Sequence, residues 1–172
     1  MAYKEAIFGG GCFWCLDAIF RRVDGVIDVI SGYANGHTQN PTYKEVCTDT
    51  TGYAEVVKII YDDTIITYED LVKIFFAIHD PTTLNRQGAD YGSQYRSIIV
   101  TMDDVQSKIA LKVKEKTQKS LAKKVVTVIE PLKSFYIAED YHQNYYENNP
   151  YQGYCQAVIA PKVQKFIDSF SN

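Results

Sequence analysis

The chain has 172 residues, of which 46% are hydrophobic and 23% charged, and its net charge is -3. That length predicts one domain, at about 100–200 residues per domain, able to bury about 70% of its unfolded surface. The composition excludes a disordered or collagen-like chain, and the absent basic surplus excludes nucleic acid as the main partner. No apolar run approaches the ~20 residues of a membrane span, so no membrane partner is expected.

Residues 1–8 carry Lys4 and Glu5 and no apolar signal core, which predicts a cytosolic protein. There are 4 cysteines and 14 tyrosines. In a reducing compartment the cysteines are inert core residues, metal ligands or redox groups rather than a disulfide scaffold.

In chain order, residues 6–8 form a short strand that runs into Gly9-Gly10-Gly11, and a helix is predicted over 13–23. Strands follow at 26–33 and 55–61. Thr67 with Asp70 is a capping pair that opens a helix bearing Leu71, Ile74, Phe75 and Ile78 at helical spacing. Residues 96–101 are a strand. Asp103 caps the next helix, whose expected stripe is Val105, Ile109, Val113 and Leu121. A strand over 125–129 ends at Pro131. Pro161 suits the first turn of a last helix carrying Val163, Phe166, Ile167 and Phe170. This β-α-β-β-α-β-α-β order predicts an α+β two-layer sandwich. Three long connections, 34–53, 79–95 and 136–154, are expected to carry function.

The segment Gly9-Gly10-Gly11-Cys12-Phe13-Trp14-Cys15 lies where a strand hands over to a helix. Glycines permit a tight turn and close approach of a ligand. Cys12 then sits at a helix N-terminus, where free N–H groups and the helix dipole favour a thiolate. Cys12 is therefore expected to be a nucleophile of lowered pKa. The alternative, a buried packing cysteine, holds at least evenly for Cys15. A zinc site needs four ligands in close pairs, and Cys47 and Cys155 stand alone, so no metal is expected. Cys-x-x-Cys is also a dithiol redox motif. The Phe-Trp spacer favours a small apolar group over a protein disulfide.

Gly-Cys-Phe-Trp after a short strand resembles the signature of the peptide methionine sulfoxide reductase A family. So do Ser31-Gly32-Tyr33-Ala34-Asn35-Gly36, Thr51-Gly52-Tyr53-Ala54-Glu55-Val56 and His79-Asp80-Pro81-Thr82-Thr83. The segment from Arg86 to Ser97, with Asp90 and Tyr95, and Glu139-x-Tyr141-His142-Gln143 match as well. The matches run in order through nearly the whole chain.

The resemblance implies a ferredoxin-like, split βαβ sandwich around a mixed sheet with long functional loops, and a single catalytic domain over 1–172. It implies reduction of methionine S-sulfoxide, free or in proteins, with no cofactor and with thioredoxin as electron donor. By motif, Phe13 and Trp14 enclose the substrate methyl, the Cys12 thiolate attacks sulfur and Glu55 donates the proton. Glu55 must then be neutral, and its place at the head of the apolar Glu55-Val56-Val57 run suits a raised pKa. Tyr33 and Tyr95 are implied to bind the sulfoxide oxygen, and Asp90 to hold the pocket.

Cys12 would be left as a sulfenic acid that a second thiol resolves. Cys155, in Gly153-Tyr154-Cys155, is favoured over Cys15, although Gln-Ala-Val-Ile-Ala-Pro after it reads as strand then helix. Cys47 is given a structural or neutral role. Asp17 replaces the family's usual Glu and is expected to suit the helix dipole. Tyr53 replaces a frequent His. His79 and His142 are taken as hydrogen-bonded framework residues and His37 as loop. A general dithiol–disulfide oxidoreductase using Cys12 and Cys15 is the alternative, with a non-catalytic binder of oxidised peptides as a third. With no oligomer signal, a monomer is the default.

Overall fold

The computed structural model describes residues 3–170, the Phe170 side chain excepted. The expected domain over 1–172 therefore reaches beyond the described residues at both ends, and the expected packing of Phe170 lies outside them. In chain order the elements are β1 (Tyr3–Gly9), α1 (Phe13–Phe20), β2 (Val26–Ala34), α2 (Tyr43–Val46), β3 (Ala54–Asp62) and α3 (Tyr68–Ile78). Then come β4 (Arg86–Gln87), β5 (Asp90–Tyr91), β6 (Ile98–Thr101) and α4 (Asp104–Lys119). The chain continues through β7 (Val128–Pro131), β8 (Phe135–Ile137), α5 (Tyr145–Asn148) and α6 (Ala160–Phe170).

Six strands form one sheet in the order β7-β6-β1-β3-β2-β8, and β4 pairs with β5 in a separate hairpin. The β6–β7 pairing is parallel, and β1 pairs antiparallel with both β3 and β6, so the sheet is mixed. Pro131 ends β7 at the sheet edge, where a missing N–H costs no ladder bond.

Period-two alternation decides the faces of this sheet. Ala6 and Phe8 of β1, with Val57 and Ile59 of β3, join the main core against the helices, whereas Ile7, Val56, Ala34 and Ile98 build a smaller cluster on the other face. The same alternation turns Tyr33 and Glu55 toward the helices, and the two residues are cross-strand partners in the β2–β3 register. Phe8 anchors the main core, stacked on Phe20 at 5.7 Å and on Phe75 at 5.0 Å. Burial of such a side chain stabilises by roughly 1.5–3 kcal/mol. Among the described residues no helix is long and apolar enough to cross a membrane.

The capping of α3 agrees with the sequence: Thr67 Oγ1 accepts from Asp70 N at 3.1 Å, and the Asp70 carboxylate accepts from Thr67 N. Other elements differ. The first helix stops at Phe20 rather than residue 23. In α4 the buried stripe is Gln106, Ala110 and Val113, while Val105 is 66% exposed and Leu121 lies beyond the helix. Gln106 displaces the apolar stripe because its amide accepts from Met102 N at 3.0 Å and donates to Glu5 O at 2.8 Å. The segment after Cys155 is no strand. A π-helical turn, Cys155–Ile159, runs directly into α6. Pro161 lacks the N–H that would close an ordinary α turn, and the wider turn just before it accommodates that loss. The three long connections contain short elements of their own: α2 in the first, the β4–β5 hairpin in the second, and α5 in the third.

Candidate active site

The glycine turn between β1 and α1 is shaped by close contacts. A Cβ on Gly9 would lie 2.7 Å from Glu55 O, and Gly11 adopts φ +85° with Gln87 packed against it. Both positions reject a side chain. Cys12 follows as the N-cap of α1, in an extended conformation and without a side-chain cap bond. Its side chain is 6% exposed.

Two groups compete for the free amides of this helix start. Phe13 N donates to Glu55 Oε1 at 3.2 Å, while the Trp14 backbone N–H faces the Cys12 sulfur. The Glu55 carboxyl is fully buried, and its Oε2 has no hydrogen-bond partner. Burial, opposed by the Phe13 N–H and aided by the charge of Asp90, raises its pKa from 4.5 to about 8. It is a neutral acid at pH 7, as the sequence implied.

Cys12 departs from expectation. Its pKa is raised well above that of an ordinary thiol, by burial first and then by Glu55, Cys15 and Asp90; the Trp14 N–H opposes this shift without overcoming it. A helix N-terminus lowers a thiol pKa only where its amides are free for the thiolate and no carboxyl group faces it. Here Glu55 takes the Phe13 amide and faces the sulfur, and the Trp14 N–H left to the thiol does not offset burial. Cys12 rests as a thiol beside a protonated acid.

The walls are aromatic. Trp14 stacks flat on Tyr145 at 3.8 Å, meets the edge of Tyr154 at 5.8 Å and lies 6.5 Å from Tyr43. Its Nε1 donates to His142 Nδ1 at 3.0 Å. The Phe13 ring, fully buried, packs on Tyr33, Tyr43 and His142. Asp90 reaches the site from the β4–β5 hairpin and accepts from Tyr154 Oη at 2.7 Å. Tyr95 and Tyr43 are half-buried, and both phenols are raised by burial and by Glu55, Cys47 and Cys12. Both phenols thus lie within electrostatic reach of the thiol and the acid.

Comparison with known proteins settles the family. Residues 4–172 match the model of the peptide methionine sulfoxide reductase family. A protein of Nitratiruptor sp. named peptide methionine sulfoxide reductase MsrA is 60% identical over 97% of this chain and 96% of its own length. The MsrA of Saccharolobus solfataricus is 55% identical over 97% and 94%. The chain belongs to the peptide methionine sulfoxide reductase family.

Among solved structures, reduced Mxr1 of Saccharomyces cerevisiae superposes with a TM-score of 0.85 at 42% identity, over 89% of both chains. Mxr1 in complex with Trx2 superposes at 0.61 with 33% identity, over 83% of this chain and 84% of that one. This chain thus shares the mixed α+β fold of Mxr1.

Within this family site, Cys12, Phe13, Trp14, Glu55, Asp90 and Tyr95 come together. Tyr33 does not present its hydroxyl. It is fully buried and donates to Glu139 Oε1 at 2.8 Å. Being opposite Glu55 in the sheet register places the Tyr33 ring nearby, but the hydroxyl reaches past the acid. Tyr43 instead is half-buried, with its ring against Phe13, Trp14 and His142. The sequence signal was there in Thr42 and Glu45, a capping box that fixes Tyr43 as the first residue of a short helix.

Of the other thiols, Cys155 is 0% exposed, and burial alone raises it. Cys15 is buried, with Lys162 Nζ at 4.0 Å from its sulfur. Cys47, expected to be neutral, is the exposed one. It is the C-cap of α2, and burial raises its pKa while the Tyr43 and Tyr95 hydroxyls oppose the shift.

Asp17 does not act on the helix dipole: it is buried, pairs with Arg21 and accepts from Asn144 N at 2.9 Å. Tyr53 turns its hydroxyl to Thr38 O. His79 is framework, bonded to Phe75 O and Ser97 Oγ, and burial lowers its pKa to about 4. His142 is likewise bonded and neutral.

Proposed function

We propose that this chain reduces methionine S-sulfoxide, free and in proteins, through Cys12, and that one monomeric domain over 1–172 does so. The observation that carries this is the juxtaposition of a thiol, a buried protonated carboxyl with one unpartnered oxygen, and two tyrosine hydroxyls beside an aromatic wall. A sulfoxide has a methyl for the wall and an oxygen for the donors.

The substrate methyl rests against Trp14, with the buried Phe13 ring forming the layer behind that wall. The sulfoxide oxygen is held by Tyr43 and Tyr95 and receives the Glu55 proton, which makes its sulfur electrophilic. The Cys12 sulfur attacks, and the thiol proton passes to Glu55. The hydroxyl then passes from the substrate sulfur to the Cys12 sulfur as the new S–S bond breaks, which leaves Cys12 as the sulfenic acid and releases methionine as the thioether. Condensation with a second thiol forms a disulfide and one water. Cys155 is the second thiol in this account. Its π-helical turn follows the exposed residues 151–153, which gives the turn room to open. A thioredoxin dithiol then takes the disulfide by exchange. The complex of the related Mxr1 with Trx2 supports that donor.

The strand order β6-β1-β3-β2, with antiparallel pairings and α1 and α3 as crossovers, supports the split βαβ, ferredoxin-like description of the core. Free thiols at all four cysteines suit a cytosolic setting. General dithiol–disulfide exchange is disfavoured, because the relatives over nearly the whole chain are methionine sulfoxide reductases.

The test is conversion of N-acetylmethionine S-sulfoxide with dithiothreitol as reductant, followed by chromatography. The wild type is expected to form the sulfide from the S epimer, and C12S none. Equal conversion by C12S would remove Cys12 from the chemistry.

A further inference from the structure

The motif Glu139-x-Tyr141-His142-Gln143 has no part in the chemistry above, yet its side chains reach the site from behind. β8 lies on β2 with Tyr136 opposite Tyr33, and Ala138 N donates to Ser31 O at 2.9 Å. Gln143 then mimics a strand neighbour: its amide accepts from Ser31 N and donates to Ser31 O, each at 2.9 Å. The five residues 139–143 are thereby pinned to the sheet at both ends.

From that fixed segment, Glu139 uses its two oxygens on two different elements. Oε1 accepts from Tyr33 Oη at 2.8 Å, and Oε2 accepts from Tyr43 N at 2.9 Å. The second bond falls on the first residue of α2. A helix of four residues cannot hold itself, since nucleation is unfavourable and almost no propagation follows. Its position must be imposed from outside. The capping box of Thr42 and Glu45 closes the turn locally but ties it to nothing else. Val46 packs α2 into the core, and among the described residues Glu139 supplies the hydrogen bond that joins α2 to the segment pinned on the sheet. Burial opposes charge on Glu139, but the N–H of Tyr43, its own N–H and the Tyr33 hydroxyl outweigh it and hold the carboxyl below its usual range. It is thus a carboxylate at neutral pH, and charged acceptors make the stronger bonds.

We propose that Glu139 is a positioning residue that sets Tyr43 against the reacting centre, with Tyr33 as its brace. This rests on the role of Tyr43 as an oxygen-binding hydroxyl. It explains why a fully buried tyrosine stands opposite Glu55 without serving the substrate: Tyr33 orients the carboxylate, and the carboxylate orients Tyr43. The neighbouring His142 extends the same segment to the other wall through the Trp14 Nε1 bond.

The experiment is a kinetic double-mutant cycle on the single-turnover reduction of N-acetylmethionine S-sulfoxide, using E139Q, Y43F, Y33F and E139Q/Y43F. Loss of one oxyanion-type donor costs up to roughly 10²–10³-fold in rate, and Y43F should fall at or below that range. E139Q places an amide N–H against one of two donors and is expected to slow the step roughly tenfold, the scale of one hydrogen bond to a charged group. Y33F should slow it less and keeps the test available if E139Q does not fold. In the Y43F background, E139Q should slow the step by no more than about twofold, because its effect runs through the missing hydroxyl. A residue that only supports the fold would lower the melting temperature and multiply in full with Y43F. Full multiplication, or an unchanged rate in both E139Q and Y33F, would overturn the proposal and leave the Tyr43 role standing. An unchanged rate in Y43F itself would remove that role, and the proposal with it.

Discussion

Replacing Glu55 by Gln separates the acid from its shape, and its consequences for stability and rate run in opposite directions. The folded chain keeps the Glu55 proton up to about pH 8, whereas the unfolded chain releases it near 4.5. Between those values the native state binds one more proton than the unfolded state, so stability falls as pH rises, by about 1.4 kcal/mol per pH unit. From pH 5 to pH 8 that amounts to about 4 kcal/mol, an upper figure because water penetration softens the burial. Gln cannot lose a proton and escapes this term. E55Q should therefore gain stability on the wild type steadily across that range. Urea unfolding at pH 5, 6.5 and 8 measures it, and with a slope of about 1–3 kcal/mol/M the midpoint difference should widen by roughly 1 M or more. Rate moves the other way. With a pKa of about 8, the acid form falls from roughly nine-tenths at pH 7 to one-tenth at pH 9, so wild-type sulfoxide reduction should fall about tenfold on account of Glu55. E55Q should be slower by about 10²–10⁴-fold at pH 7 and lack that alkaline loss. Parallel unfolding midpoints for the two proteins at every pH would refute the reasoning, since Glu55 would then be ionised in the native state.

Two further outcomes follow from named contacts. With thioredoxin as the only reductant, C155S should complete one turnover and then stall with Cys12 oxidised, as read by a burst in product without steady-state turnover, while C15S and C47S continue; sustained turnover in C155S would assign resolution to another thiol. G11A should lower stability by about 1–2 kcal/mol, because φ +85° is strained for alanine and its Cβ would lie 2.8 Å from Gln87. Thermal unfolding measures this, and an unchanged melting temperature would show that the turn relaxes freely.

Periodicity made the sheet and its flanking helices legible. Phe8 and Val57 alternate with Ile7 and Val56 across the two faces, and Thr67 with Asp70 announced α3. It misled where a polar side chain took a core position for its hydrogen bonds, as Gln106 did, and after Cys155, where a π-helical turn stands in place of the expected strand while Pro161 does open the last helix. The site was legible wherever the backbone dictates the side chain. Cys12 and Phe13 follow the glycine turn, and Glu55 follows from strand parity. The protonation state of Cys12 was not legible, because it depends on which group captures the α1 amides, and Glu55 takes the first. Nor was the choice between Tyr33 and Tyr43, which turns on a bond to Glu139 that is 106 residues away from Tyr33. Cys47 reaches the rim only because α2 carries it there.

The central claim is that methionine sulfoxide takes its two electrons from Cys12 and a second thiol of this same chain. Free thiols are counted on the reduced protein before and after one equivalent of methionine S-sulfoxide, with no external reductant. Two thiols should be lost per methionine formed in the wild type, and C12S should lose none and form no methionine. Methionine formed by C12S, or formed by the wild type with every thiol still free, would contradict it.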